Sequence, residues 1–454
     1  MSKHVDSEIG VRRFAGIDGR STVVLATIFP PANERDHRRR ESYYALGVAA
    51  AVGFLMVARA PFKFDQFWAE DGTVFLGSAI NHGRLASLDE WYSGYLHTIP
   101  RLLGGLAASL PLRGAPSVFF VGVVLMAAAG SGLVMYRSSA YINRWWIRVL
   151  LACVPAILPT EGVEVIGNAA NLQFLLVYFA FWLLLWFPRS RLTTVLATIS
   201  AGLIALSTLL VVFLVPLAVA RLFVRRGRRA LVPPVALLAG VAVQVVGRVL
   251  VGAQRSDLGM EPVGIAGALD AFNGMVAANL RPPLPEPTID LVSAVLVAVS
   301  VASVLVTTFA PKPGTGRSPD GPAVGRTMAG LCLAMGLGIW FTLALAVGIA
   351  TRYGVLASFF LAAGLLVAVD VALDAHPTLV ARIPACVLLV AFALSAFRGW
   401  QPAAWHDEVD RSWSQAVTDA QASCSATGAE WAQLPLSPRP WSVFLACDGL
   451  LDEQ

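Results

Sequence analysis

The side chains best suited to chemistry in this sequence are two adjacent carboxylates, Glu70 and Asp71. They follow the first long apolar segment, residues 44–60, after only a few residues, and aromatic side chains flank them. Charged groups at the edge of an apolar layer are energetically expensive and are more often functional than decorative. Either carboxylate could act as a general base that takes the proton from an attacking hydroxyl.

Two interpretations of this acidic pair stay open at this point. In the structural one, the acids begin a helix over residues 72–85 and stabilise its first turn through the helix dipole. In the functional one, Asp71 is the preferred base, and Glu70 supports it or binds a metal. The two need not share a task, because neighbouring residues of a helix point about 100 degrees apart.

Other polar residues from distant parts of the chain fall in segments that we predict on the same side of a membrane. The candidates for binding a substrate are Tyr95, His97, Arg101, Glu164, Asn171, Gln173, Arg281, Arg352 and Tyr353. The same segments also hold Tyr92, Glu161, Asn168 and Glu286. Polar groups that converge in this way are typical of a site between helices.

Each of these residues also has a simpler interpretation. Arg352 could extend from the end of a membrane helix towards water, or its planar guanidinium could clamp a phosphate. His97 could be an interfacial histidine with no ligand. Asn171 and Gln173 could cap the start of an apolar helix.

The composition identifies the class of protein to which these residues belong. Of 454 residues, 56% are hydrophobic and only 14% are charged, whereas soluble domains carry roughly 25% charged residues. The chain is therefore predicted to be an integral membrane protein. Its net charge of +5 comes from basic clusters between apolar runs, which indicate topology and exclude a nucleic-acid surface.

The apolar runs and basic clusters predict an all-α, polytopic helix bundle with about eleven spans and a cytoplasmic N-terminus. The predicted first outer loop, residues 61–114, contains the acidic pair and an interfacial helix over residues 99–112. The 193–223 block lies between two basic clusters and therefore requires two short spans. The predicted spans lie near 42–60, 116–136, 146–159, 171–187, 193–223 (two), 231–252, 288–310, 327–350, 354–374 and 380–397.

Three regions follow from this topology. Residues 1–41 are predicted to be a disordered cytoplasmic arm, 42–397 the membrane body, and 398–454 a small extracytoplasmic tail. Cys424 and Cys447 are the only cysteines in a polar region, and outside the cytoplasm they can form a disulfide that staples the tail. No group of residues has metal-ligand spacing.

The polytopic chain with an acidic pair in its first outer loop resembles the GT-C superfamily of membrane glycosyltransferases. The resemblance rests on Glu70 and Asp71, the aromatic stretch that continues to Leu112, the loop 167–173, and Arg352 with Tyr353. It covers the membrane body, and the span number also agrees. Many members carry a larger outer domain than this tail.

The resemblance implies a polyprenyl-phosphate sugar as donor and a cell-envelope glycan or lipid as acceptor. A first-loop carboxylate, Asp71 or Glu70, would activate the acceptor hydroxyl at the extracytoplasmic face of the cell membrane, with inversion at the anomeric carbon. Arg352 would contact the phosphate. Some members use a divalent cation such as Mg²⁺ or Mn²⁺ and others do not.

Two rival functions also stay open. A transporter or flippase of lipid-linked saccharides would place ionisable residues near the bilayer midplane, and Asp370 and Arg248 are the main candidates. A polymerase or ligase of lipid-linked glycans would share the donor chemistry and differ in its acceptor.

Overall fold

The computed structural model describes residues 19–30, 35–159, 164–224, 227–251, 263–280, 287–310, 320–348, 352–375, 378–400 and 412–451. Most of these residues are helical. The helices are α1 (Gly19–Ile28), α2 (Arg35–Arg59), α3 (Gly77–Asn81), α4 (Thr98–Ala107), α5 (Ala115–Ser138), α6 (Trp145–Ile157), α7 (Leu172–Leu185), α8 (Arg191–Ser207), α9 (Val215–Leu222), α10 (Val232–Val251), α11 (Ile265–Leu280), α12 (Pro287–Phe309), α13 (Asp320–Ala346), α14 (Tyr353–Ala375), α15 (Ile383–Gly399), α16 (Trp413–Thr427) and α17 (Cys447–Leu451). Two strands, β1 (Trp431–Pro435) and β2 (Ser442–Ala446), complete the described elements.

A bundle of apolar helices forms the body of the protein. Among the described residues, six helices are long and apolar enough to cross a membrane: Arg40–Arg59, Leu112–Ser138, Arg228–Leu250, Ala323–Ala346, Tyr353–Ala375 and Val380–Phe397. The other predicted spans coincide with shorter apolar helices. A membrane helix bundle is therefore confirmed, whereas the number of crossings stays a prediction.

The 193–223 block divides into two helical segments, as its flanking charges require. Helix α8 ends at Ser207, and Thr208 adopts an extended conformation. The Thr208 hydroxyl then accepts a hydrogen bond from the Leu210 N–H, which caps a 3₁₀ turn over Leu209–Leu214. A side-chain oxygen that satisfies the first free N–H groups is a common way to begin a helix.

Helix α11 lies between two predicted spans, in a segment for which the sequence predicted no helix. The helix is held by tertiary contacts: Met275 is buried, and the Trp340 indole donates to the Ala268 carbonyl at 3.0 Å. Packing of this kind stabilises a helix that has no strong local signal of its own.

Helix α14 occupies the centre of the bundle, and most of its side chains are buried. Tyr178 and Phe181 of α7 pack against Phe359 and Phe360 with ring centres 5.2–5.8 Å apart. Edge-to-face contacts at such distances are favourable for aromatic rings. A closely packed centre fixes the start of α14, which contributes to the site described below.

Polar contacts at the helix ends establish how the central helices run. At one end of α2 and α6, Arg148 pairs with Glu41; at the other, Arg59 donates to the Leu158 carbonyl at 3.1 Å. The two helices are therefore parallel. Arg144, at the start of α6, pairs at 3.0 Å with Asp370 near the end of α14. Helix α14 thus begins at the end of the bundle that carries the first loop.

The two ends of the bundle agree with the predicted alternation of these helices. Which end faces the cytoplasm stays a prediction, as does the multi-pass topology of the cell-membrane protein. The predicted disordered arm, residues 1–41, is wrong for residues 19–30, which form α1 and the turn after it, and for residues 35–41, which begin α2. Phe29 is buried, and the Tyr141 hydroxyl donates to the Ile28 carbonyl at 2.8 Å, because apolar residues of this segment pack on the bundle.

The C-terminal module, residues 412–451, is a separate small structure on the first loop. Strands β1 and β2 pair antiparallel, with Trp431 opposite Ala446, so the all-α prediction is corrected by one hairpin. A disulfide joins Cys424 of α16 to Cys447 of α17, with Cα atoms 5.6 Å apart. The disulfide predicted from the sequence is therefore present and closes the module.

Candidate active site

A cavity of about 300 Å³ lies where the first loop meets the ends of the central helices. Its polar lining comprises Glu70, Tyr92, Ser93, Tyr95, His97, Asn171, Gln173, Arg248, Arg352 and Tyr353. Apolar residues line the rest: Ala170, Leu209, Leu210, Leu343 and Val347. A cavity with an apolar wall and a few convergent polar groups is the usual form of a ligand site.

Glu70 is the carboxylate of the acidic pair that lines this cavity. It directly precedes a short π-helical turn, Asp71–Leu76, and among the described contacts its side chain makes no capping bond to that turn. Burial raises the pKa of the Glu70 carboxyl above its usual value of 4.5, while Arg352 opposes this shift. A carboxylate with a raised pKa is a better proton acceptor, so Glu70 is suited to be a base.

Asp71 lies behind the wall of the cavity that the described residues form. Its side chain is buried, and its two carboxylate oxygens accept hydrogen bonds from the Ala169 and Ala170 N–H groups, each at 2.8 Å. We preferred Asp71 as the base from the sequence, whereas this geometry favours Glu70. The reason is that the turn directs Glu70 into the cavity and Asp71 into the protein, where it anchors a second segment.

Lys63, which we did not predict from the sequence, lies beside Asp71 in the protein interior. Its ammonium donates to the Asn168 side-chain oxygen and lies 4.9 Å from the centre of the Trp68 ring. Burial lowers the pKa of Lys63 and raises the pKa of Asp71. The attraction between the two opposite charges partly offsets both shifts. A lysine just beyond the first span is a signal that sequence reasoning could have used.

The segment anchored by Asp71, residues 164–171, forms a compact turn, which we call the Glu164 turn. Gly167 has a φ of +71°, and a Cβ at this position would lie 2.7 Å from the Phe120 ring. Both the conformation and the space therefore require glycine. The side chains of Asn168 and Asn171 donate to the Glu164 carbonyl, the latter at 2.7 Å.

These bonds argue against the interpretation of Asn171 as a helix cap. It occupies the position before α7, but its side chain makes no capping bond to the described helix. It closes the Glu164 turn instead, and it also lines the cavity.

Arg352 is held at the cavity by an ion pair with the Glu164 carboxylate. Its guanidinium also lies 5.6 Å from the centre of the Tyr353 ring. Glu164 is thus a partner that orients Arg352 and is not part of the cavity lining. A guanidinium oriented in this way retains donors for a ligand and is well suited to a phosphate.

Tyr95 and His97 form an aromatic wall with their ring centres 4.0 Å apart. The Tyr95 hydroxyl donates to the Gln173 side-chain oxygen at 2.9 Å. The Gln173 side chain therefore binds the aromatic wall and does not serve only as a helix cap. Burial, together with the nearby Arg101, lowers the pKa of His97 to about 3. The imidazole is therefore neutral, and the wall can stack on or hydrogen-bond a neutral ligand group.

Arg101 and Arg281 do not join this arrangement. Arg101 is buried, pairs with Glu90 at 3.2 Å and does not line the cavity. Arg281 lies outside the described residues, as do Glu161 and Glu286.

Arg248 is a cavity residue that the sequence suggested only for a transporter. It comes from α10, and it lines the cavity together with residues of the first loop. Among the described residues, no carboxylate forms an ion pair with Arg248. Its charge is thus available to an anionic ligand.

The part of the chain that the structure describes contains no group of three or more His, Cys, Asp or Glu residues that could hold a metal ion. A requirement for Mg²⁺ or Mn²⁺ stays a prediction. A scan of protein families and searches of characterised proteins and of solved structures returned no match. The cavity's own chemistry is the basis for a functional assignment.

Proposed function

We propose that this protein is a membrane glycosyltransferase that moves a sugar from a polyprenyl-phosphate donor to a hydroxyl group of a cell-envelope glycan or lipid. The observation that supports this most is the joint placement of Glu70, Arg248 and Arg352 in one cavity with an apolar wall. These are the groups that such a transfer requires: a base for the hydroxyl and cations for the phosphate.

The donor fits the cationic and apolar parts of the cavity. Arg248 and Arg352 can donate charge-assisted hydrogen bonds to a phosphate, and bonds of this kind are about twice as strong as neutral ones. Leu343 of α13 and Val347, directly after this helix, line the same cavity, and α13 is apolar enough to span the membrane. A ligand with an anionic head and an isoprenoid chain would satisfy both surfaces.

The reaction follows from the same residues. Glu70 accepts the proton of the acceptor hydroxyl as its oxygen forms a bond to the anomeric carbon of the sugar. The bond between that carbon and the phosphate oxygen breaks, and the phosphate leaves with the electron pair. Arg248 and Arg352 stabilise the negative charge of this leaving group. Attack from the face opposite the phosphate inverts the anomeric centre.

The aromatic wall supports binding of a neutral sugar ring. The neutral His97 and the Tyr95 ring offer faces for stacking, while Gln173 and Asn171 offer amide groups to sugar hydroxyls. Orientation of the reacting groups in this way lowers the entropic part of the barrier.

The transporter or flippase alternative has less support. Asp370 is paired with Arg144 near the end of α14, and Arg248 lines the same cavity as Glu70. Neither residue takes the place near the centre of a membrane helix that a proton or ion relay would need.

The proposal is tested by following labelled sugar from synthetic polyprenyl-phosphate sugars with the protein reconstituted in vesicles. Wild type should form product, and Glu70→Gln should form it at least about 100-fold more slowly. Asp419→Asn should behave as wild type, because Asp419 lies on the exposed face of α16, hydrogen-bonded to Gln415. No transfer by wild type from any donor of the panel would contradict the proposal. Movement of intact donor across the vesicle membrane would then support the flippase.

A further inference from the structure

A carboxylate of the first loop, Asp65, binds the first residues of the C-terminal module. Asp65 precedes the acidic pair by a few residues, and its oxygens accept hydrogen bonds from the Ser412 hydroxyl and from the Ser414 hydroxyl and N–H. The Ser414 bonds measure 3.0 and 2.9 Å. Asp65 therefore binds residues that follow it by 347 and 349 positions in the sequence.

A second contact lies directly before Glu70. The Ala69 N–H donates to the Ser437 carbonyl at 2.6 Å, and the Ser437 N–H donates to the Phe67 carbonyl at 3.2 Å. Ala69 has a φ of +37°, a conformation that a residue with a side chain keeps only when its surroundings hold it. These bonds to the module supply that restraint.

A third set of contacts lies directly after the acidic pair. The Thr73 hydroxyl donates to the Ser442 carbonyl of β2 at 2.8 Å. A Cβ added at Gly72 would lie 2.7 Å from a methyl group of Leu436. The module thus packs against the main chain of the turn that begins with the acidic pair.

We propose that the C-terminal module positions Glu70, and that Asp65 and Thr73 are the positioning residues that transmit its hold. This inference rests on the proposed role of Glu70 as base. The module forms hydrogen bonds with residues 65, 67, 69 and 73, which lie on both sides of Glu70. Its disulfide and its hairpin stabilise the structure of the module itself. Removal of these contacts leaves Glu70 in the sequence but loosens its placement relative to Arg248 and Arg352.

The test uses substitutions that remove single contacts of the full-length protein. Thr73→Val keeps the volume and loses the bond to Ser442, and Asp65→Ala loses the bonds to Ser412 and Ser414. Asp65→Asn keeps one acceptor oxygen for the Ser414 N–H and should restore part of the activity. Asp419→Ala, which removes an exposed carboxylate of the module away from these contacts, is the matched control.

Two measurements are made on each variant: hydrogen exchange at residues 66–76, and kcat and KM for transfer. We expect faster exchange in this segment alone and a fall in kcat of up to about 100-fold, the size of effect that follows a misplacement of about 1 Å. KM for the donor should stay near the wild-type value, because Arg248 and Arg352 are not held by the module. If Asp65→Ala does not fold, Thr73→Val provides the test.

Three outcomes would overturn the inference. Unchanged exchange at residues 66–76 would show that the module does not hold the loop. Faster exchange with an unchanged kcat would show that the hold has no catalytic effect. A raised KM for the acceptor with an unchanged kcat would make the module an acceptor-binding unit instead. Hydrogen exchange does not depend on sugar transfer. It therefore still reports whether the module restrains residues 66–76 if wild type transfers no sugar and the proposed function fails.

Discussion

Substitution of each acidic residue by its amide should affect a different property: Glu70→Gln should reduce catalysis, and Asp71→Asn should reduce stability. Glu70→Gln removes the proton acceptor in the cavity and leaves its size unchanged. Asp71→Asn removes a buried anchor whose oxygens bind two backbone N–H groups, each at 2.8 Å. The comparison separates the chemistry of the acidic pair from its structural role.

The expected magnitudes follow from these contacts. A general base contributes about 10²- to 10⁴-fold to the rate, so kcat of Glu70→Gln should fall by that factor. In Asp71→Asn the amide offers a single acceptor oxygen, and either Ala169 or Ala170 loses its partner. A hydrogen bond to a charged group contributes about 1.5–3 kcal/mol, so we expect the free energy of unfolding to fall by about that amount.

The assay combines sugar transfer at saturating donor with the melting temperature of each purified variant. Glu70→Gln should lose activity at an unchanged melting temperature. Asp71→Asn should melt at a lower temperature and retain activity in proportion to its folded fraction. Wild-type turnover by Glu70→Gln would refute the assignment of the base. An inactive Asp71→Asn with a wild-type melting temperature would return the role of base to Asp71.

The cavity and the Glu164 turn yield three more predictions. Arg248→Gln should raise KM for the donor roughly 10- to 100-fold through loss of a charge-assisted bond to phosphate; an unchanged KM in steady-state assays would contradict this contact. Because only the ionised Glu70 accepts a proton and burial raises its pKa above 4.5, kcat should rise with pH and reach its plateau only well above that value. An acid limb of the pH profile centred at 4.5 or below would be inconsistent with this role. Gly167→Ala should lower the melting temperature, since φ is +71° and the new Cβ meets Phe120, at a cost of about 1–3 kcal/mol. Gly83→Ala, with a φ of +98° and open space around it, is the control that isolates backbone strain from the clash.

Hydropathy and charge along the sequence predict the class of protein and the helices of its apolar spans. Apolar runs of spanning length are local signals, and the bilayer requires that their backbone groups bond within each segment. Each predicted span therefore coincides with a helix. The disulfide could also be predicted, because Cys424 and Cys447 are the only cysteines in a polar region.

Tertiary structure alone decided which polar residues form the cavity. Glu70 and Asp71 are neighbours with similar chemistry, and their roles differ because Ala169 and Ala170, almost a hundred residues away, bind one of them. No local pattern records such a contact.

The same reason explains the remaining differences between prediction and structure. Arg101 and Arg248 are both arginines near apolar helices, yet Glu90 pairs with the first and the cavity receives the second. The C-terminal module contacts Asp65 of the first loop, although 349 residues separate Ser414 from Asp65 in the sequence. Hydropathy and charge report the environment of a segment, whereas the partner of a side chain depends on which distant segment packs beside it.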